Sequence, residues 1–210
     1  MNRMSPDQII AESFSIIEAE AGDHGFSDRE WPVVRRMIHA SGDMDLLGLV
    51  QFKGDAVSKG LQAISQGLPI VCDVTMVRAG LNRNTLAQLG LTAQCFIEDP
   101  TIAREAKGMG STRSTAAMEH AIRTFGRAVY VVGNAPTALS ALCEAVRQER
   151  VQPALIVAMP VGFVSVVESK QAAMELDAPV ITVLGRKGGS AIAAACMNAM
   201  LLTCASETGP

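Results

Sequence analysis

The sequence predicts an α/β protein, a three-layer α/β/α sandwich with a mostly parallel central sheet. Five short segments are near-continuous apolar runs, as expected for parallel strands that are covered on both faces. Segments with helical spacing separate the later strands, and such alternation is typical of a parallel sheet. The strands are expected at 69–74, 93–97, 128–132, 154–159 and 180–184, and the later helices at 112–125, 136–147, 166–176 and 191–202.

Composition limits the classes of partner. The chain has 210 residues, 49% of them hydrophobic, which is enough for one sizeable core. We therefore expect a single domain over 1–210, with 1–4 and 206–210 flexible. The net charge is −3 and aromatic residues make up only 4%. No basic stripe or set of stacking aromatics is visible, so the sequence argues against a nucleic-acid partner.

The compartment is predicted from signals that the sequence lacks. The N-terminus shows no basic region followed by an apolar one, so it is not read as a secretory signal. The most apolar stretch, 191–202, is expected to be too short to span a bilayer. The five cysteines are odd in number and contain no CxxC pair, which disfavours a disulfide framework or a zinc site. We expect a cytoplasmic protein that contacts no membrane and holds no metal.

The first helix has clear boundary signals. Ser5 is a candidate N-cap, Pro6 suits the first helical position, Gln8 completes a capping box and Gly22 can end the helix. The apolar face is expected to consist of Ile9, Ile10, Phe14 and Ile17. Ser13 lies at the edge of that face, either as a tolerated polar residue or as a hydroxyl that reaches a cleft.

The second helix carries the histidine of greatest interest. Ser27 and Glu30 make another capping box, but Pro32 would remove a helical hydrogen bond, so this helix either starts later or bends. Gly42 is a natural stop, which places His39 in the last turn, where the helix macrodipole favours an imidazolium. A histidine in that position is also common as a surface or capping residue.

Two further segments precede the regular alternation. The apolar run 46–52 is compatible with a short edge strand or with a helical turn, and the pattern does not separate the two. A helix is expected over 55–66, because Gly67 and Pro69 follow it.

The loops that follow the strands are the predicted binding region, because ligands of open α/β sheets bind beyond the carboxyl ends of the strands. Three loops, at 107–113, 133–136 and 185–190, lead into helix N-termini, whose free N–H groups can bind anions. Positive charge near the same edge comes from Arg78, Arg113, Arg186 and Lys187. The resulting candidates for substrate binding are Thr75, Arg78, Ser111, Arg113, Asn134, Lys187, Gly188 and Gly189.

The known phosphate and hydrolase motifs are absent. The glycines of 108–110 lack the third glycine of a dinucleotide fingerprint, and no GxxxxGK[ST] loop occurs. The chain also lacks a GxSxG elbow and an HExxH pair. Glycine-rich loops are also common as plain turns. An enzyme of phosphorylated metabolites that uses the 188–189 loop remains an alternative at this point.

Seven segments together resemble the precorrin-8X methylmutase family, in the expected order from about residue 5 to about residue 203. These segments are ESFSIIEAE (12–20), MIHASGD (37–43), PIVCDVTMVRAGL (69–81), GSTRSTAAM (110–118), GNAPTAL (133–139), PVGFVSVVESK (160–170) and GRKGGSAIAAACMNA (185–199). The resemblance implies an isomerase of cobalamin biosynthesis that moves a methyl group from carbon-11 to carbon-12 of a contracted tetrapyrrole. The product would be hydrogenobyrinic acid, or cobyrinic acid when the substrate carries cobalt.

The resemblance also implies roles and partners. It implies a homodimer with active sites at or near the subunit interface, with no redox or nucleotide cofactor. It makes His39 the catalytic acid and places Ser13 and Arg113 in the site. We hypothesise that His39 protonates a ring nitrogen, with handover of the product to the next pathway enzyme as a further expectation. A non-catalytic corrinoid carrier is the alternative function.

Overall fold

The computed structural model describes residues 4–208, so residues 1–3 and 209–210, part of the two segments predicted to be flexible, lie outside the described residues. Six strands form one sheet: β1 (Val50–Lys53), β2 (Ile70–Cys72), β3 (Ala93–Gln94), β4 (Val129–Val132), β5 (Leu155–Ala158) and β6 (Val180–Val183). The helices are α1 (Pro6–Ala21), α2 (Trp31–Ser41), α3 (Leu46–Leu49), α4 (Ala56–Ser65), α5 (Thr75–Gly80), α6 (Arg83–Gln88), α7 (Pro100–Gly108), α8 (Arg113–Phe125), α9 (Pro136–Arg147), α10 (Val166–Glu175) and α11 (Ser190–Thr208). The predicted mostly parallel α/β sandwich is confirmed.

The sheet has the order β1-β6-β5-β4-β2-β3. Every neighbouring pair is parallel except β1 and β6, which run antiparallel with Val50 opposite Val183. The start of β1 therefore lies at the edge where the parallel strands end. As a result, the chain that leaves α2 arrives at the same edge as the loops that follow β2, β4, β5 and β6.

Both faces of the four central strands β2, β4, β5 and β6 are buried, which explains why these strands are near-continuous apolar runs. Val129 and Val131 of β4 belong to the core shared with α2, α4 and α11, whereas Tyr130 and Val132 belong to the core shared with α8 and α9. This alternation follows from the two-residue period of a strand. Tyr130 is fully buried and its hydroxyl donates to the carbonyl oxygen of Gly126 at 2.6 Å.

The first two helices start as their local signals allow. The Ser5–Gln8 capping box is present, with the Gln8 N–H donating to Ser5 Oγ at 3.3 Å. The Ser27–Glu30 bonds also form, but they close a turn ahead of α2, which begins at Trp31 so that Pro32 falls within its first turn. Of the two alternatives for this helix, the later start is the observed one.

The apolar face predicted for α1 is covered only in part. Ile17 is buried, and Phe14 is half-buried against α2. Ile9 and Ile10 are 52% and 40% exposed, and Ile16, which the prediction did not include, is 51% exposed. The apolar residues predicted for this helix are therefore buried or half-buried in its C-terminal half and exposed in its N-terminal half.

Several segments differ from the expected elements or resolve an alternative that the sequence left open. The run 46–52 contains both alternatives, since the helical turn α3 leads directly into the edge strand β1. The predicted strand 93–97 is shortened to Ala93–Gln94. Helices α5, α6 and α7 were not predicted, although Asp99 followed by Pro100 is a recognisable start for α7: the Asp99 carboxylate accepts a hydrogen bond from the N–H of Thr101 at 2.8 Å.

The last helix is longer than predicted. It continues past 202 to Thr208, and so includes the start of the tail that was expected to be flexible. By length and composition α11 is long enough to cross a membrane, and the predicted shortness of this stretch was wrong. In this fold, however, 61% of the Ser190–Glu207 window is buried, mainly against α2 and α5. Its apolar character is therefore accounted for by the core.

Candidate active site

His39 lies in the last turn of α2, as predicted, and Gly42 ends the helix in a left-handed conformation with φ 65°. The preceding residues Met37 and Ile38 are buried, whereas His39 is exposed. Within residues 4–208 its imidazole makes no hydrogen bond or ion pair, and its one ring contact is an edge-on approach to Phe14, with centroids 5.3 Å apart. Both ring nitrogens are therefore available to a ligand.

Phe14 of α1 is surrounded by cationic groups. The guanidinium of Arg35 lies 4.3 Å from the centre of its ring and that of Arg36 lies 5.7 Å away. Arg35 also pairs with Glu18, whose pKa is lowered chiefly by a hydrogen bond from the Trp31 indole. Arg36 has no carboxylate partner in the part of the chain that the structure describes, and burial lowers its pKa.

Arg36 was missed by the sequence analysis. It precedes His39 by three positions on one helix, so the two side chains share a face, and this spacing was a readable signal. An arginine beside an exposed imidazole gives this surface a donor that suits a carboxylate ligand. Ser13, the other residue predicted here, donates its hydroxyl to the carbonyl oxygen of Ile9 at 2.7 Å within α1.

Lys187 connects the glycine-rich loop 185–189 to the end of α2. Its ammonium lies 2.7 Å from a carboxylate oxygen of Asp43 and 2.6 Å from one of Asp45. The hydrogen bond to Asp43 raises the pKa of Lys187, and the same bond lowers the pKa of Asp43. Lys187 was predicted to bind substrate, but in this structure its charge is neutralised by the loop that follows His39.

The loop 185–189 lies directly against the end of β5. The Gly189 N–H donates to the carbonyl oxygen of Met159 at 2.8 Å. Gly188 has φ 152°, and a Cβ there would lie 2.5 Å from the same oxygen, so only glycine fits. Beneath the loop, the buried ammonium of Lys170 donates to the carbonyl oxygens of Gly185, at 3.0 Å, and of Lys187.

The loop 133–136 differs from the expectation of a free anion site. Its N–H groups of Gly133, Asn134 and Ala135 donate to the carboxylate of Asp73 at 3.0, 2.9 and 2.8 Å. Asp73 is 3% exposed, and burial raises its pKa while these three donors oppose the shift. The Asp73 carboxyl group thus occupies the N–H groups of this loop, and only the exposed side chain of Asn134 is left for a ligand.

Three more of the predicted residues, Thr75, Arg78 and Arg113, lie near the loop 133–136. Thr75 and Arg78 lie on α5, directly after Asp73, and Arg78 is exposed. Arg113 is the exposed first residue of α8, whose N-cap Thr112 contacts Thr137 of α9 at 3.0 Å between hydroxyl oxygens. The structure thereby places Arg113 and the loop before it beside the start of α9.

Ser111 has an unusual environment. Its hydroxyl oxygen is buried and has no hydrogen-bond partner among residues 4–208. A buried hydroxyl without a partner is costly, and it needs an explanation such as a bound molecule. The role of Ser111 in substrate binding stays a prediction.

A large, solvent-open cavity lies elsewhere in the molecule. This cavity of about 720 Å³ lies at the opposite, amino-terminal edge of the sheet, and its lining includes Arg127, Arg147, Gln152 and Asp177. His39 does not line this cavity, and its imidazole is exposed beside Phe14 of α1. Within the described residues, no group of three or more His, Cys, Asp or Glu side chains is placed to hold a metal ion.

Comparison with known proteins agrees with this architecture. The family model described as precorrin-8X methylmutase matches residues 8–203. A cobalt-precorrin-8 methylmutase of Leptospira interrogans is 44% identical over 91% of this chain and 90% of its own length. A precorrin-8X methylmutase of Sinorhizobium is 40% identical over 91% of this chain and 92% of its own.

A solved structure is similar over nearly the whole chain. The crystal structure of the precorrin-8X methylmutase of Thermus thermophilus superposes with a TM-score of 0.88 at 42% identity, covering 96% of this chain and 99% of that one. Methylmutases are isomerases that move a methyl group within one molecule. The fold, the sequence matches and the extent of the family model lead to one conclusion: the chain belongs to the precorrin-8X methylmutase family, a family of isomerases of cobalamin biosynthesis.

Proposed function

We propose that this protein moves a methyl group from carbon-11 to carbon-12 of precorrin-8X, or of its cobalt form, with His39 as the general acid. The observation that carries the proposal is the state of His39 in the structure. Its imidazole is exposed at the edge of the sheet where ligands of such folds bind, and no described residue occupies either ring nitrogen. A proton on this ring is therefore available to a bound tetrapyrrole.

The reaction needs no second substrate, because the methyl group and its acceptor carbon lie in one molecule. His39 would donate a proton to a ring nitrogen next to the migration site, which withdraws electrons from the acceptor carbon and eases a 1,5-sigmatropic shift. The proton returns to the imidazole when the product forms, so the step is an isomerisation with no net proton change. Positioned general acids contribute about 10²–10⁴-fold to such reactions.

Recognition of the substrate would rely on its many carboxylates around an apolar macrocycle. Arg36, Arg78 and Arg113 are cationic, and none of them has a carboxylate partner within the described part of the chain. Phe14 supplies an apolar surface beside His39. Arginine binds carboxylates in a bidentate fashion, which fixes orientation as well as affinity.

The proposal includes a homodimer in which a second copy covers α1. Ile9, Ile10 and Ile16 expose 40–52% of their surface on the helix that also carries Phe14. Ile10 lies four positions before Phe14 on the same face of α1, so a partner that covers Ile10 would also approach His39. We propose the cytoplasm as the site of action, and handover of the product to the next pathway enzyme.

The central experiment compares His39→Ala and His39→Asn with His120→Asn as a matched control. His120 is one of the three histidines in the sequence. It lies on α8, away from α2, and its ring contacts the ring of Phe96. With purified substrate, in its metal-free and its cobalt form, we expect both His39 variants to lose about 10²–10⁴-fold in kcat. The control should keep wild-type turnover.

Two outcomes would contradict the proposal. Near-normal methyl migration in both His39 variants would remove the acid role. Tight product binding by a wild-type protein that shows no turnover would instead favour the carrier.

A further inference from the structure

The lysine on α10 is buried without an ion pair. Lys170 is 1% exposed, and none of the ion pairs between described residues includes it. Lysine is almost never fully buried unless its ammonium is partnered. The hydrogen bonds that Lys170 makes are to the carbonyl oxygens of Gly185 and Lys187.

Both acceptors belong to one loop that needs support. Gly185, Gly188 and Gly189 have φ values of 70°, 152° and 117°, in the region that favours glycine. Glycine-rich segments lose much conformational entropy on ordering, so they require specific contacts to hold a single conformation. The Lys170 ammonium supplies two such contacts, and the hydrogen bond from the Gly189 N–H to the carbonyl oxygen of Met159 supplies a third.

The same loop is bonded to the end of the His39 helix. The carbonyl group of Lys187 faces Lys170, and its ammonium binds Asp43 and Asp45. Asp43 directly follows Gly42, the residue that ends α2. A continuous series of contacts therefore runs from Lys170 through the backbone and side chain of Lys187 to the last turn of α2.

No neighbouring cation is available to replace Lys170. Arg186 lies over the ring of Phe163 at 5.2 Å, and Lys187 is already paired with two carboxylates. Within the described residues, Lys170 is thus the one side-chain donor that binds carbonyl oxygens of this loop.

We propose that Lys170 is a positioning residue, whose buried amine holds the loop 185–189 in place and through Lys187 fixes the end of α2 that carries His39. The effect on catalysis rests on the proposed function, because it takes His39 as the acid. The effect of Lys170 on the loop 185–189 does not rest on the proposed function. The two effects are therefore tested by separate measurements, one of loop dynamics and one of catalysis.

The experiment uses Lys170→Met and Lys170→Gln, with Ser169→Ala as the matched control. Ser169 is the preceding residue of α10, 3% exposed, and its hydroxyl donates only to its own helix, at Val166 O. Amide hydrogen exchange is followed by mass spectrometry in peptides that cover 185–189 and 40–46. We expect about tenfold faster exchange in both segments for the Lys170 variants, and wild-type exchange for the control.

Kinetics provides the second measurement. Misplacement of a catalytic group by about 1 Å can cost about 10²-fold, so we expect kcat to fall about 10–100-fold while KM changes much less. An effect on general packing would instead appear in Ser169→Ala as well.

The outcomes distinguish the two claims. Inactive wild-type protein would overturn the proposed function and leave the exchange test intact. Active wild-type protein with unchanged exchange at 185–189 in Lys170→Met would overturn the positioning role. If Lys170→Met loses its native circular dichroism, Lys170→Arg must protect the loop better than Lys170→Gln, and equal protection would overturn the inference.

Discussion

Two loops at the carboxyl edge of the sheet are held by the protein in opposite ways. The loop 133–136 directs three N–H groups at the buried carboxylate of Asp73. The loop 185–189 directs two carbonyl oxygens at the buried amine of Lys170. Each loop leads into a helix, and each is organised by a single buried side chain of the appropriate charge.

The difference bears on which backbone groups remain for a ligand. In the loop 133–136 the N–H groups ahead of α9 already bind the Asp73 carboxyl group, so an external anion would have to displace Asp73. In the second loop the buried partner takes carbonyl groups instead. Proximity to a helix start therefore does not by itself establish an anion site, because a buried carboxylate can fill it first.

The largest expected effect concerns the first loop. Asp73→Asn replaces one acceptor oxygen with an N–H₂ group that faces backbone donors, so at least one buried N–H loses its partner. We expect the free energy of unfolding to fall by about 3 kcal/mol or more, as when a buried charged hydrogen-bond network is broken. Urea denaturation at neutral pH measures this change. Asp99→Asn, at the exposed start of α7, should show a much smaller loss, and equal losses would contradict the role given to Asp73.

The second largest expected effect concerns Lys170, the buried partner of the loop 185–189, and it depends on pH. Burial lowers the pKa of Lys170 to about 8, whereas an unfolded lysine titrates near 10.4. Between these values the unfolded chain binds more protons, so the contribution of Lys170 to stability rises with pH and is lost as pH falls through about 8. The stability of wild type relative to Lys170→Met should increase by about 1–3 kcal/mol from pH 7.5 to pH 10.5.

Denaturation of both proteins at the two pH values tests this prediction. Ser169→Ala should follow the wild type at each pH. A constant difference between wild type and Lys170→Met would mean that the amine is solvated.

The smallest expected effect concerns the ion pairs of Lys187 at the rim. Its side chain is 42% exposed, and exposed ion pairs are weakened by solvent and salt. We expect Lys187→Met to shift the urea midpoint less than either buried substitution, with the shift shrinking further in 1 M NaCl. A shift as large as that of Asp73→Asn would show that the exposed ion pairs of Lys187, rather than the buried Asp73 and Lys170, hold these loops in place.

Some features of the site could be predicted from residues that are close together in the sequence, and others could not. His39 at a helix end was predictable, because Gly42 and the apolar spacing of α2 are local signals. Arg36 could have been found from its spacing to His39. The partners of Lys187 could not, because Asp43 and Asp45 are more than a hundred residues away in sequence and meet it only where antiparallel β1 joins β6.

The sequence by itself determined the α/β class, the capping box of α1, the glycine that ends α2 and the family to which the chain belongs. These follow from short-range patterns, namely continuous apolar strands, capping boxes and glycine stops. Only the tertiary structure decided that the N–H groups of the loop 133–136 are filled by Asp73, while the glycine-rich loop 185–189 rests on Lys170. The physical reason is that a buried charge takes partners from whichever loop the sheet order brings beside it, and the order β1-β6-β5-β4-β2-β3 is not encoded in any local pattern.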